Sequence, residues 1–302
     1  MRSLQWFVDL SFSRIPYAAL CEVFFFLESN SSRLAKIAAL SQFFHHALLL
    51  SPSNLIQVLY LCTNRIGPAY EGLELGIGDG LLFKAIAETT GSSVDQLKKA
   101  MEKEGDLAIV AEKRKMNQGM LFKPKALTIP KVFSEFIKIA KSTGSASMTK
   151  KVGHIKALLA AGSGHEPRYI IRSLQGALRI GCSEITVVAS LARAIAAQNS
   201  KLKDSSKVKE ADVEHVLEIL KRVHSEVPNW EIIIPKFLEF GMDNLLDHCH
   251  LTPGVPIKAM LAKPTKGISE ILERLKSFVF TLEFKYDGER AQVALSCQIL
   301  VS

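Results

Sequence analysis

The sequence predicts a mainly α protein: one long all-helical region, then a linker, then a short β-hairpin. Three observations carry this. Apolar residues recur at three- and four-residue spacing from about residue 16 to 240. Strict alternation is absent over that region. After Gly241 the texture changes to clustered prolines and a β-branched, aromatic run. The chain has 302 residues, 48% hydrophobic and 23% charged, which excludes disordered, collagen-like and membrane-spanning classes. No segment stays apolar for the ~18 residues a membrane span needs.

The helices follow in order. Pro16 opens the first, with Leu20, Val23, Phe24 and Leu27 on its apolar stripe. Leu34, Ile37, Ala38, Phe44 and Leu48 mark a second, and Ser51-Pro52 opens a third. Gly72, Gly76, Gly78 and Gly80 form a connection between helices; the run lacks the Lys-Ser/Thr of a phosphate-binding loop. Ser93-x-x-Gln96 is a capping box for the next helix. Further helices fit 105–116, 130–141, 147–161, 167–176, 183–198, 208–225 and 230–239, with a polar loop between 198 and 209. Pro253, Gly254, Pro256 and Pro264 suit a linker, and a helix fits about 268–277. Residues 278–284 read as a strand, Asp287-Gly288 as a tight turn, and 291–299 as the returning strand. The organisation expected is a lead (1–14), a helical domain (15–245), a linker (246–264) and the start of a second domain (265–302). Length alone suggests two domains.

The five cysteines are odd in number and form no Cys-x-x-Cys clip, so a reducing compartment fits. His248-Cys249-His250 reads as a structural loop, because adjacent residues rarely converge on one ion. His45-His46 reads as an ordinary helix end. No metal site is expected from these residues.

The formal charge of +8 favours a polyanionic partner. Most of it sits between residues 141 and 181. Seven cations there (Lys141, Lys150, Lys151, Lys156, Arg168, Arg172 and Arg179) face Glu166 alone, an excess of six. Two small-residue loops lie inside this band: one carries Gly144, Ser145 and Ser147, the other Gly176, Ala177, Leu178, Arg179, Ile180 and Gly181. Both end at a predicted helix N-terminus, where backbone N–H groups and the dipole favour an anion. The cations lack the aromatic interleaving of single-strand binders, so duplex backbone or minor groove is the better match. The alternative is a solvated helix surface.

Lys285-Tyr286-Asp287-Gly288-Glu289-Arg290 is the segment richest in chemistry. Strand alternation places Glu283 and Lys285 on one face. A lysine beside Arg290 and partly shielded from water has its charged form disfavoured, the condition for a nucleophilic amine. From the residues alone, an ordinary charged hairpin is equally open.

Lys-x-Asp-Gly-x-Arg after an apolar strand resembles the first nucleotidyltransferase motif of the eukaryotic ATP-dependent DNA ligases. The approach to it, residues 253–265 and Gly267-Ile268-Ser269-Glu270, is similar to theirs. So are Leu73 to Gly78, Thr143 to Ser147, and Arg172 to Leu174 with Leu178 to Gly181 in the helical region. The likeness runs from about 15 to 293 and is strongest to the DNA ligase 1 type, plant members included. It implies that the helical region is a DNA-binding domain and that the end begins an α+β nucleotidyltransferase domain. It implies that Lys285 attacks ATP and carries AMP with Mg2+ assisting, that Glu283 recognises adenine, and that Arg290 contacts the nucleotide. It implies that the stretch continuing through Cys182, Ser183, Glu184, Ile185 and Thr186 touches the minor groove. Arg33 and residues 115–118 are secondary candidates.

Only 17 residues follow Lys285, and 294–299 lack the family's His and acidic turn. The tail therefore reads as a truncated or alternatively spliced end, and complete nick sealing is not expected. The expectation is a monomer that binds duplex or nicked DNA without a membrane partner. Its expected place is the nucleus, with an organelle as the alternative given Arg2 and Arg14 in the N-terminal lead. The competing reading is a non-enzymatic helical scaffold for an acidic protein.

Overall fold

The computed structural model describes residues 15–116, 125–202, 204–258, 265, 267–284, 288 and 291–293. Their helices are α1 (Tyr17–Ser29), α2 (Arg33–Leu50), α3 (Leu55–Cys62), α4 (Asp79–Thr90), α5 (Val94–Glu104), α6 (Leu107–Met116) and α7 (Ile129–Lys141). After these come α8 (Ser147–Ala161), α9 (Glu166–Leu174), α10 (Glu184–Asn199), α11 (Glu210–Glu226), α12 (Trp230–Phe240), α13 (Leu245–His248) and α14 (Ile268–Leu275). The Ser93–Gln96 capping box is formed in both directions. Gly78 stands at the N-cap of α4, so the glycine run ends where a helix begins.

A single apolar core runs from Ile15 to Cys249. Its broadest contact is α2 against α10. Both helices present small residues there, including Ala47 and Ser41 on α2 and Ser190, Ala194 and Ala197 on α10, which lets the axes approach closely. The Ser205 hydroxyl meets Ser41 Oγ at 3.2 Å and donates to Gln42 Oε1 at 3.0 Å, so the polar loop before α11 is pinned to α2. Phe24, Phe43, Phe44 and Phe136 are wholly enclosed, each side chain contributing about 1.5–3 kcal/mol. The approach to α7 is fixed to the start of α1 by Tyr17 N–H donating to Leu127 O (2.9 Å) and Ile129 N–H to Ile15 O (3.0 Å). Glu135 joins α7 to α8: it accepts from Lys131 and Lys138, both at 2.9 Å, and meets His154 Nδ1 at 2.6 Å. Burial works to raise its carboxyl, but these three partners outweigh it and hold the pKa at about 2.

Helix α9 lies between α1, α6 and α8, and from Tyr169 to Leu174 every residue is buried. Arg172 therefore brings a charge inside, 3% exposed. Nε donates to Asp106 Oδ2 at 3.1 Å and Nη2 to the same oxygen at 2.9 Å. Nη1 and Nη2 donate to the two oxygens of Glu28 at 2.7 and 2.9 Å, and Nη1 also reaches Leu178 O at 3.3 Å. All five N–H donors of the guanidinium are used. Burial alone would raise the Glu28 carboxyl, but the hydrogen bonds from Arg172 and Tyr169 hold it below its ordinary value. Arg168 adds contacts to Glu112 and Glu28, and His165 Nδ1 meets Glu112 at 2.5 Å.

The expected hairpin is corrected: no β-strand occurs among the described residues, only an isolated bridge between Pro16 and Thr128. Residues 278–284 carry strand-like side chains but form no strand ladder with any described residue, and Val279, Leu282 and Phe284 are exposed. β-Propensity expresses fit to a pleated surface packed on something, and no such layer lies beneath this segment. The described part of the expected return strand is tied elsewhere. The Gln292 amide accepts from Ile257 N–H at 2.8 Å and donates to Ile257 O at 2.7 Å. The lead (1–14), Asn117 and Gln118, most of the turn motif and 294–302 lie outside the described residues.

Replacing Arg172 by Met should lower stability by about 3–5 kcal/mol, because Glu28 and Asp106 lose their buried cation and keep, among cations, only the longer contacts to Arg168 and Arg179. A urea titration followed by circular dichroism would show a lower midpoint at unchanged slope.

Candidate nucleic-acid interface

The second small-residue loop connects α9 to α10 and is built from alternating anchors and exposed positions. Leu178 and Ile180 are buried, while Ala177, Arg179 and Gly181 face outward. Gly176 and Gly181 have positive φ (87° and 58°), and so does Arg179 at 56°. A left-handed arginine costs about 1 kcal/mol or more and persists only where its surroundings impose it. They do so here. Lys36 on α2 is buried, and its Nζ donates to Ile180 O and Gly181 O, both at 2.8 Å. Arg172 holds Leu178 O from beneath. A Cβ on residue 181 would stand 2.6 Å from Lys36 Nζ, so any other residue there would push the clamp aside and add the strain of a second left-handed side chain.

Arg179 is thus presented on a rigid turn, its side chain 51% exposed and its Nη1 3.3 Å from Asp106 Oδ2. The other oxygen of Asp106 accepts from Ala108 N–H at 2.9 Å at the start of α6. One carboxylate therefore aligns the buried Arg172, the exposed Arg179 and a helix end. Beyond the loop, Ser183 caps α10 by accepting from Thr186 N–H, Cys182 is half-buried and Ile185 is exposed. Thr186 is buried. The loop faces a shallow cavity of about 330 Å3, bounded across from it by Cys62 to Arg65.

The first loop leads into α8. Gly144 has φ 86°, Ser147 N–H closes the turn on Gly144 O at 3.0 Å, and no side chain caps the helix. Ser145 is exposed, and Lys150 and Lys151 occupy the first two turns. Cations there oppose the dipole, whose N-terminal end is already positive, and an anion relieves both.

The band of positive charge is smaller in space than along the chain. Lys156 pairs with Glu88 at 2.7 Å, and Arg168 and Arg172 are absorbed by Glu28, Asp106 and Glu112. Arg172 is accordingly a support beneath the loop rather than a surface contact. Lys150, Lys151 and Arg179 remain the outward cations among the candidates. Arg33 is exposed at the start of α2, whereas Lys115 turns inward and donates to Ala160 O at 3.0 Å. Glu283 is exposed; Lys285 and Arg290 lie outside the described residues.

Sequence reasoning missed Lys36, Asp106 and Glu28. Lys36 carried a signal: it shares the stripe of Leu40, Phe43, Phe44 and Ala47, where a lysine needs buried acceptors. Exchanging Lys36 for Met should speed hydrogen exchange of the amides at 177–182 while leaving the interior of α10 protected. Each of the two orphaned carbonyls costs about 1–3 kcal/mol.

Comparison with known proteins matches a model of the DNA ligase N terminus over residues 16–192 and one of the ATP dependent DNA ligase domain over 259–299. Similar proteins include DNA ligase 1 of Schizosaccharomyces pombe, 43% identical over 92% of this chain and 36% of its own length. DNA ligase 1 of Saccharomyces cerevisiae is 46% identical over 94% and 38%, and that of Arabidopsis thaliana 41% over 93% and 35%. The plant protein is no more similar than the fungal ones, so a plant subtype is not singled out. The chain spans little more than a third of the length of these relatives. The match over the helices that build the loop covers more than half of the chain, and the chain belongs to the ATP-dependent DNA ligase family.

Proposed function

We propose that this chain grips duplex DNA, nicked duplex included, through the phosphate backbone and minor groove, in replication, repair and recombination. The observation that carries this is Arg179, exposed on a left-handed turn that Lys36 and Arg172 clamp from below. A strained, pre-ordered cation binds without a further cost of ordering. The α8 N-terminus with Lys150 and Lys151 supplies a second grip. Such contacts fix register on a duplex and carry little sequence information. Ala177, Gly181 and Ser183, small and exposed around Arg179, let the backbone approach a groove. The proposal takes the chain as a monomer that works in the nucleus, where its substrate lies. Among the described residues no helix is long and apolar enough to cross a membrane.

The relatives are named as ligases, and the family's lysine adenylation would fall to Lys285, with Glu283 for adenine and Arg290 for the nucleotide. Of these three, Lys285 and Arg290 lie outside the described residues, and Glu283 is the one whose surroundings are described. Glu283 stands between exposed Leu282 and Phe284, and no three His, Cys, Asp or Glu side chains converge on an ion site among the described residues.

Fluorescence titration with nicked duplex over a salt series should give a steep linear fall of log K with log salt. Removing the charge of Lys150, Lys151 or Arg179 should reduce the slope by about 0.9 for every phosphate no longer neutralised. A flat salt dependence would overturn the reading. Incubation with labelled ATP and nicked duplex should yield bound but unsealed DNA; sealed product would show that this chain does more than grip.

A further inference from the structure

Three shallow cavities meet end to end across the site loop. The loop cavity shares Asn64, Arg65 and Gly176 with a neighbour of about 430 Å3 that runs along residues 66–76. At its other end it shares Glu184 with a third, of about 330 Å3, bordered by Ile185, Lys221, His224 and Lys258. The three cavities thus follow one another along the loop, and Glu184 borders both the loop cavity and the third.

Glu184 stands between two cations from distant parts of the chain. Arg65 Nη2 lies 3.3 Å from one carboxylate oxygen and Lys258 Nζ 3.2 Å from the other. Burial alone would raise the Glu184 carboxyl, but Lys258 and Arg65 outweigh it, so the group stays ionised. Lys258 is fixed at both ends: its backbone N–H donates to Ser225 O at 3.0 Å, and Nζ lies 3.3 Å from His224 Nδ1. His224 is stacked on Trp230 at 4.2 Å between centroids; burial, then Lys258, lowers its pKa to about 4, leaving a neutral ring that accepts from the lysine. One carboxylate against two cations leaves a charge of +1, and Lys221 beside the third cavity raises it to +2. Arg65 spends one N–H contact on Glu184, and its remaining donors meet no protein acceptor among the described residues.

We propose that Arg65 and Lys258 form a second phosphate subsite for the DNA backbone beside the loop, and that Glu184 is the internal anion a backbone phosphate displaces. The proposal rests on the duplex-binding reading above. It gives the row of cavities a direction, from the glycine-rich connection past Arg179 to Lys258, and it places a residue of the linker on the duplex. Partly exposed pairs of this kind contribute little to folding, so exchanging Glu184 for a phosphate costs the fold little.

The test is the salt dependence of binding of the full chain to a fluorescein-labelled nicked duplex, with urea unfolding as a check on folding. Neutralising Arg65 and Lys258 together (Arg65→Gln with Lys258→Gln) should lower the log–log slope by about 0.9, the share of one phosphate, and each single exchange by part of that, with unfolding midpoints unchanged. Glu184→Gln should tighten binding severalfold, and that gain should vanish when Arg65 and Lys258 are also neutralised. If Arg179→Gln lowers the slope while Arg65→Gln and Lys258→Gln leave it as it was, the second subsite is overturned and the loop reading stands. If the unaltered chain shows no slope at all, the loop reading fails first and takes this proposal with it.

Discussion

Arg172 carries five N–H groups into the interior of a helical protein, and the arrangement around it sets much of what the surface can do. A guanidinium cannot shed its charge, so burying it obliges the fold to bring acids to it. Glu28 arrives from α1 and Asp106 from the start of α6, and the loop contributes Leu178 O. The same Asp106 then reaches outward to Arg179. A single buried charge thereby couples three helices to the conformation of the exposed turn. Lys36 does the equivalent from α2, with two carbonyls of the loop as its acceptors. The loop is held by charged donors on carbonyls, the stronger class of hydrogen bond, and this is what lets a non-glycine residue remain left-handed.

The same network redistributes charge. Along the chain, residues 141–181 look strongly basic, yet the cations divide into two populations once folded. Lys156, Arg168 and Arg172 face acids contributed by α1, α4, α6 and the residue before α6. Lys141, Lys150 and Arg179 are exposed and Lys151 half-buried, Lys150 and Lys151 near a helix N-terminus and Arg179 on a clamped turn beside Asp106. The surface that results is less charged than the sequence count and better ordered. Order matters more to binding, because a pre-positioned cation loses little freedom when it meets a phosphate.

Much of the helical architecture was legible because it rests on local rules. The period of Leu20, Val23, Phe24 and Leu27 and the Ser93–Gln96 capping box each depend on residues a few positions apart. The β-hairpin was legible as composition and wrong as structure. Residues 278–284 satisfy strand propensity, but a strand is completed by a partner and a layer beneath it, and sequence pattern reports neither. Gln292 shows what happens without them: a side-chain amide, rather than a backbone ladder, joins 291–293 to the linker.

By itself the sequence determined the helical class, most of the helices though not α4 or α13, and the motifs that carry the family likeness. Each follows from interactions within a few residues or from the chemistry of a short run. Only the tertiary structure decided which cations are left to bind anything. It turned Arg172 from a surface candidate into a buried support, placed Lys36 under a loop 144 residues away, and set Arg65 and Lys258 on either side of Glu184. The reason is electrostatic. A buried cation ringed by acids is lost to a ligand, an exposed one such as Arg179 still reaches solvent beside its acid, and which of these holds is settled by the packing of helices far apart in the chain.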